Sequence, residues 1–339
     1  MRESIQPFRA AGTRAPALSV VVIMFSAREQ LERCLDALAE QAARIDLEVL
    51  VPHDDTLDRP EELQAGHPGV RLLRFAGCRT PAELRAAAVA DARAPVVALL
   101  EDHCTPAADW CMRVLALHGQ PHAAVGGSIE KGFPPGRSHD TALNWALYLS
   151  DYSRYMPPMP PGPAHGLSDC NVSYKRAALE AIRELWRTEF HENVVNGALE
   201  RSGRTLWFDP GLVVYEQRPL DLRRALRDRY TFGRLFGSTR VASSGLPVRV
   251  ARAGVAVLMP PLLVGRVARN LVRRRRHRAQ LLRCLPWLML VSAAWMWGEA
   301  VGYLTGAPDA SLTATSSRGG GDDHVPATGS APANAGPSR

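Results

Sequence analysis

The sequence predicts an α/β domain around a mostly parallel central sheet, followed by helices that associate with a membrane. Three observations predict it. From Ala17 short apolar runs alternate with segments of helical periodicity; polar, mostly acidic groups stand where the apolar runs end; and beyond Pro219 the composition turns arginine-rich and amphipathic, then apolar. Alternating strands and helices imply a sheet covered on both faces, and in such sheets ligands sit at the carboxyl ends of strands. At 339 residues the chain exceeds one average domain. We divide it into an extension (1–16), the α/β domain (17–220), a basic and membrane-associated helical region (221–306) and a tail (307–339). The tail is rich in Gly, Ser, Ala, Thr and Pro and reads as disordered, because it lacks the apolar residues for a core.

Leu18 to Phe25 is a β-branched apolar run, the mark of a strand buried on both faces. Ser26 then reads as the N-cap of a helix carrying Leu31, Leu35, Leu38 and Ala42 at helical spacing. Leu47 to Val51 reads as a second strand, ending at Pro52-His53-Asp54-Asp55, and Val70 to Phe75 as a third. Pro81 to Ala92 reads as a helix and Pro95 to Leu100 as a fourth strand, which stops abruptly at Glu101-Asp102-His103. Trp110 to His118 continues as a helix and Ala123 to Ile129 as a strand, where Gly126-Gly127 permits a close backbone approach. Five prolines between Met156 and Pro163 demand an ordered loop or lid. Asn171 to Ala181 and Glu192 to Ser202 read as helices, the second closed by Gly203. Leu206 to Asp209 and Leu212 to Tyr215 read as short strands parted by Pro210.

Past Pro219, Asp221 to Arg240 is amphipathic and suited to lying along an interface. Ala253 to Gly265 is uncharged but reaches only about 20 Å as a helix, against about 30 Å of hydrocarbon, so it dips in rather than crosses. Leu285 to Leu304 carries one charge, Glu299, near its interfacial end, and is long enough to span. The arginines of Arg266 to Arg278 face the cytoplasm by the positive-inside rule, which puts the α/β domain on the cytoplasmic face of the membrane.

Net charge is +7, yet Arg223 to Arg283 holds 16 arginines against the single acid Asp228, a local +15 that leaves −8 elsewhere. Beside apolar segments such a block suits an anionic lipid surface. No zinc-finger spacing or aromatic RNA-binding signature accompanies it, so nucleic acid is set aside as a partner. The six cysteines fit no metal knuckle or disulfide framework. Met1 to Pro16 lacks the apolar core of a secretory signal.

Carboxylates and an imidazole at strand ends suit a divalent metal bridging phosphates, the Lewis-acid role. A separate carboxylate facing them suits taking a proton from an acceptor hydroxyl. Ser19-Val20-Val21-Val22-Ile23 followed by Leu31-Glu32-Arg33-Cys34-Leu35, then Glu48-Val49-Leu50-Val51 before Asp54-Asp55, then Arg85 sixteen residues before Glu101, stand in an order that resembles the family 2 glycosyltransferases. The resemblance covers about Leu18 to Pro219 and implies their nucleotide-sugar-binding fold, GT-A. It implies that Asp54 and Asp55 grip the nucleoside, that Arg85, Glu101 and Asp102 serve the donor, and that Glu101 and His103 stand where the family has its two metal-motif aspartates. Gly166 to Arg176 looks like the family's acceptor-side segment. His191-Glu192 ahead of Gly203 is similar to the family's Glu-Asp signature, with Glu192 in the place of the catalytic base. Val213-Val214-Tyr215-Glu216 resembles the strand ending in a metal- or diphosphate-contacting His, with Glu216 in its place.

Without the family's order, an acidic triplet only caps a strand, and a glutamate at a helix start only complements its dipole. Arg229, Tyr230, Arg234 and Arg240 suit either a diphosphate-linked lipid acceptor or anionic headgroups. The resemblance implies a metal-assisted (Mn²⁺ or Mg²⁺), inverting glycosyltransferase that takes a nucleotide-sugar donor and a lipid-linked or polysaccharide acceptor at the membrane. The rival reading is a catalytically inactive membrane-bound module that keeps the fold for binding, to which the altered motif residues point.

Overall fold

A computed structural model describes residues 15–306 except 27, 56, 78, 133–140, 219 and 242–243. The proposed extension, all but its last two residues, and the proposed disordered tail lie outside the described residues. The first half of the domain runs β1 (Leu18–Ile23), α1 (Arg28–Ala42), β2 (Leu47–His53), α2 (Pro60–Gly66), β3 (Arg71–Arg74), α3 (Pro81–Asp91) and β4 (Val96–Glu101). Strands β1 and β4 are buried along their whole length, as their unbroken apolar runs require. Helix α3 starts where Thr80 and Glu83 form a capping box around Pro81. The second half runs β5 (Cys104–Pro106), α4 (Trp110–His118), β6 (Ala124–Lys131), α5 (Ala142–Tyr152), β7 (Gly162–Pro163), β8 (Val172–Lys175), α6 (Arg176–Glu180), α7 (Glu192–Arg201) and β9 (Leu206–Glu216).

The central sheet has the order β3-β2-β1-β4-β8-β6-β9-β5, with β7 beside β9. It is parallel from β3 to β4, as expected, and mixed beyond: β8 runs antiparallel to both β4 and β6, while β6 and β9 are parallel. The helix expected at Asn171 to Ala181 is instead strand β8 and then the short α6. Burial decides this, since Val172, Ser173 and Tyr174 fill the gap between β4 and β6 and complete both ladders. Asn171 pins the strand's start: its amide donates to the carbonyls of Ser128 and Leu212, and its oxygen accepts from Trp110 Nε1. The two short strands expected around Pro210 are one strand, β9, whose register shifts opposite Gly127 and Ser128. Gly127 lies so close to Leu212 that a Cβ there would overlap its carbonyl.

Among the described residues the helices α8 (Leu222–Arg240), α9 (Leu246–Ala256), α10 (Met259–Arg274) and α11 (Arg278–Thr305) follow. Helix α11 is long and apolar enough to cross a membrane. Helices α9 and α10 qualify only as a pair and meet at 48°, in keeping with an apolar segment too short and too proline-rich to cross straight. Helix α8, the amphipathic stretch, packs along α11. Its Gly233 and Gly237 abut the backbone of Trp295 and Glu299 of α11, while Gly298 and Gly302 of α11 abut that of Tyr230 and Arg234, and a Cβ on any of the four would overlap a backbone carbonyl of the other helix. Small residues four apart on both helices bring the two backbones into contact. Glu299, expected near an interface, is buried beside this seam and accepts from Trp295 Nε1 at 3.1 Å and Tyr303 OH at 2.7 Å.

Several arginines of the basic block are engaged by the α/β domain. Arg229 forks onto both oxygens of Asp151 at 2.7 Å, Arg274 donates to the carbonyls of Ser153 and Arg154, and Arg276 reaches Glu130 at 2.7 Å. The Gly298→Val protein is expected to lose at least about 1–3 kcal/mol from the overlap with the Tyr230 carbonyl. Thermal unfolding of the detergent-solubilised chain measures it, and Gly254→Ala, whose Cβ meets open space, is the control that should unfold no earlier than wild type.

Candidate active site

The parallel pairing of β1 and β4 sets Ile23 beside Glu101, so both strands end together. The Asp102 amide donates to the Ile23 carbonyl, and Asp102 Oδ2 accepts from the amides of Phe25 and Ser26 at 3.0 and 2.7 Å. Asp102 thereby organises the turn into α1. Ser26, expected to cap that helix, has a buried hydroxyl with no partner among the described residues. The other Asp102 oxygen, Oδ1, and His103 Nδ1 lie 3.5 Å apart, and neither has a hydrogen-bond partner among the described residues. His103 Nε2 stands 3.2 Å from Tyr152 OH and 3.5 Å from Glu101 Oε2. Burial alone would depress His103, but Asp102, Cys170 and Glu101 outweigh it and hold the imidazole at about 10.

Arg85 projects from α3 into this group. Its Nη2 is 3.3 Å from Glu101 Oε1 and 3.0 Å from Asp169 Oδ2, and all three side chains are at most 5% exposed. The Cys170 thiol donates to Glu101 Oε2 at 3.1 Å and lies 3.3 Å from Tyr152 OH. Burial first, then Cys170 and Asp169, raise Glu101 well above the usual carboxylate range. Glu192 opens α7 and is buried, with Oε1 accepting from Asn193 at 3.0 Å. Burial and then the charge of Asp169 push Glu192 up to about 8, against the opposing pull of Arg85. Glu192, Asp169, Arg85, Glu101 and His103 thus form one continuous buried set.

Other expected residues stand apart from it. Asp54 Oδ2 accepts from the Arg79 amide at 2.8 Å, and the more exposed Asp55 accepts from Arg74 and the Gly77 amide, both at 3.0 Å. The Arg74 bond, then the Gly77 amide, lower the Asp55 pKa. Both carboxylates shape the segment that leads from β3 to α3. Glu216 lies across the β5–β9 ladder from Cys104, but its carboxylate pairs with Lys131 at 2.9 Å. His191 is solvent-facing and lies 3.2 Å from Glu189.

Asp169, Cys170 and Tyr152 were not singled out from the sequence. The available signal for Asp169 was an acid just ahead of a strand. Reading that strand as a helix hid it, because only an antiparallel β8 brings its beginning beside the end of β4.

The donor set suits a hard divalent cation. Glu101, Asp169 and Cys170 offer ligand atoms within 4.8 Å of one another, as do His103, Cys104 and Cys170, and Glu216 belongs to neither group. Burial pushes Cys104 up to about 11 and Cys170 well above its ordinary value, which keeps the thiols protonated. The carboxylates of Glu101 and Asp169 are then the hard donors, and His103, which faces Asp102 Oδ1 at 3.5 Å and is held protonated, joins them only when a cation displaces its proton.

Residues 19–183 match the family model described as Glycosyl transferase family 2. No curated protein matches the chain. Among solved structures, the mannosyltransferase PcManGT from Pyrobaculum calidifontis, in complex with GDP-Man and Mn²⁺, is similar at 19% identity and a TM-score of 0.48, over 92% of this chain and 90% of that one. TarS 1-349 of S. aureus, in complex with UDP-GlcNAc, is similar at 12% identity and a TM-score of 0.46, over 85% of this chain and 89% of that one.

Replacing Arg85 with alanine leaves Glu101 and Asp169 buried without their counter-charge. A loss of about 3–5 kcal/mol in urea unfolding is the expected result.

Proposed function

We propose, on the premise that residues 19–183 belong to glycosyl transferase family 2, that this protein transfers a sugar from a nucleotide-sugar donor to a lipid-linked or polysaccharide acceptor at the cytoplasmic face of a membrane, with inversion at the anomeric carbon. The observation that carries the reading is the buried set itself. Glu192, the base, is coupled through Asp169 and Arg85 to Glu101, the group that ends β4. An acceptor hydroxyl attacks the anomeric carbon, its proton passes to the Glu192 carboxylate, and the bond to the diphosphate breaks with its electron pair leaving on the nucleoside diphosphate. Arg85 places a fixed positive charge beside that departing group. Mn²⁺ or Mg²⁺ held by Glu101 and His103, with Asp102 behind them, would supply Lewis-acid neutralisation of the diphosphate. Asp54 and Asp55, at the end of β2, receive the nucleoside. Helix α11 and the arginines of Arg266 to Arg278 favour membrane attachment on the cytoplasmic side.

A pKa of about 8 for Glu192 has a definite consequence for rate. The rate constant kcat/KM rises with pH until Glu192 ionises near 8, and Glu192→Gln lowers turnover by about 10²–10⁴ while leaving donor affinity intact. The sign for stability is opposite. A carboxyl raised from 4.5 to about 8 on folding stabilises fully below pH 4.5, and that contribution is lost as pH rises through 8. Wild type should therefore lose stability relative to Glu192→Gln across that window, as denaturant midpoints at several pH values will show.

The near-complete burial of Glu101, Asp102 and His103 favours a second reading, a non-catalytic binding module. Titration of UDP and GDP with and without Mn²⁺ or Mg²⁺ separates the two. The transferase reading requires affinity to rise with metal and His103→Ala to abolish the rise; no metal effect on wild type selects the module.

A further inference from the structure

Between the α/β domain and the C-terminal helices lies a cavity of about 570 Å³. One wall belongs to the catalytic side. Asn193, the neighbour that donates to Glu192, and Asn196 line it from α7, and the charge of Arg154, also in the lining, acts on Glu192 itself. The cavity therefore adjoins the proposed base.

Its charge is one-sided. Arg154, Arg229, Arg266 and Arg269 all line it, against the acids Asp151 and Glu200. Arg229 is neutralised by Asp151, and Glu200 lies 3.0 Å from His165. Arg266 is partly buried, and the nearby charges acting on it are Arg154 and Arg269, of like sign, and Asp151. Arg269 is exposed and Arg154 and Arg266 are half-buried, so like charges gather at the mouth of the cavity, and such guanidinium groups repel one another unless an anion joins them. Their planar forks match phosphate oxygens better than any other side chain does.

Another part of the wall is apolar. Phe236 of α8, Leu263 of α10 and Trp295 of α11 line it. Beyond it the same helices expose Leu262 at 62% and Trp297 at 63%, on the region that includes the candidate membrane span. A soluble phosphate compound would leave this apolar wall unused, whereas a lipid-carried one uses both.

We propose that this cavity is the acceptor site and that it binds the phosphate or diphosphate of a lipid-linked saccharide. The arginines hold the anion, the lipid runs out along α10 and α11, and the saccharide hydroxyl lies toward Glu192. This narrows the acceptor and rests on the transferase reading for the role of Glu192. The binding of a lipid phosphate at the cavity does not depend on that reading.

The test uses the full chain in detergent with three soluble probes: dioctanoyl phosphatidic acid, dioctanoyl phosphatidylcholine and inorganic pyrophosphate. Phosphatidic acid should bind at least tenfold more tightly than either of the others, by calorimetry or by thermal shift. Equal binding of pyrophosphate overturns the lipid component, and equal binding of phosphatidylcholine overturns the anion site. Neither comparison depends on any variant folding. Arg266→Gln/Arg269→Gln should then weaken phosphatidic acid tenfold or more while UDP or GDP affinity stays at the wild-type value. Unchanged phosphatidic acid affinity in that variant overturns the assignment to this cavity. Loss of nucleotide binding by wild type, with lipid phosphate binding retained, fails the transferase reading and leaves the anion site standing.

Discussion

The buried guanidinium of Arg85 is the contact on which the rest of the site depends. It is the one cation hydrogen-bonded to both Glu101 and Asp169 among the described residues, and those two carboxylates come from the end of β4 and the segment before β8. Two buried acids this close repel strongly unless a positive charge satisfies both. Arg85 does so from α3, so one side chain ties a helix, a parallel strand and the approach to an antiparallel strand into a single wall. Glu192 joins that wall from α7, and its raised pKa follows first from its burial and then from the charge of Asp169.

The C-terminal helices are built onto this domain as well as carrying the apolar segments. Arginines of α8 and α10, and the link after α10, grip Asp151, the carbonyls of Ser153 and Arg154, and Glu130, while the glycine seam locks α8 to α11. The basic block therefore has two populations. Some arginines dock the helices, and others, Arg266 and Arg269 among them, face the cavity beside α7. Composition counted them together because charge in a sequence carries no direction.

Much of the α/β frame was legible in the residues. Buried parallel strands are unbroken apolar runs, so β1, β2 and β4 announced themselves, and the polar groups at their ends marked the carboxyl edge of the parallel strands. The glycine pair of β6 was legible as a close approach for the same reason that Gly127 leaves no room for a Cβ. The second half of the sheet was not legible. Strand β8 is short, and its identity depends on two ladders whose partners, β4 and β6, lie far from it in the chain, Leu99 opposite Val172 and Val125 opposite Ser173. A helical pattern of apolar residues was outweighed by those ladders and by the anchoring of Asn171.

By itself the sequence determined the buried parallel strands β1, β2 and β4, the presence of carboxylates at strand ends and the apolar length of α11, because each is set by neighbours within a few residues. Only the tertiary structure decided that Asp102 organises a turn, that Glu216 pairs with Lys131, that Asp169 enters the site and that α8 turns its glycines to α11. Each of these is a choice of partner for a buried polar or close-packed group. Burial makes a partner obligatory, but the identity of that partner is set by sheet register and helix docking, which act across distances that no local pattern encodes.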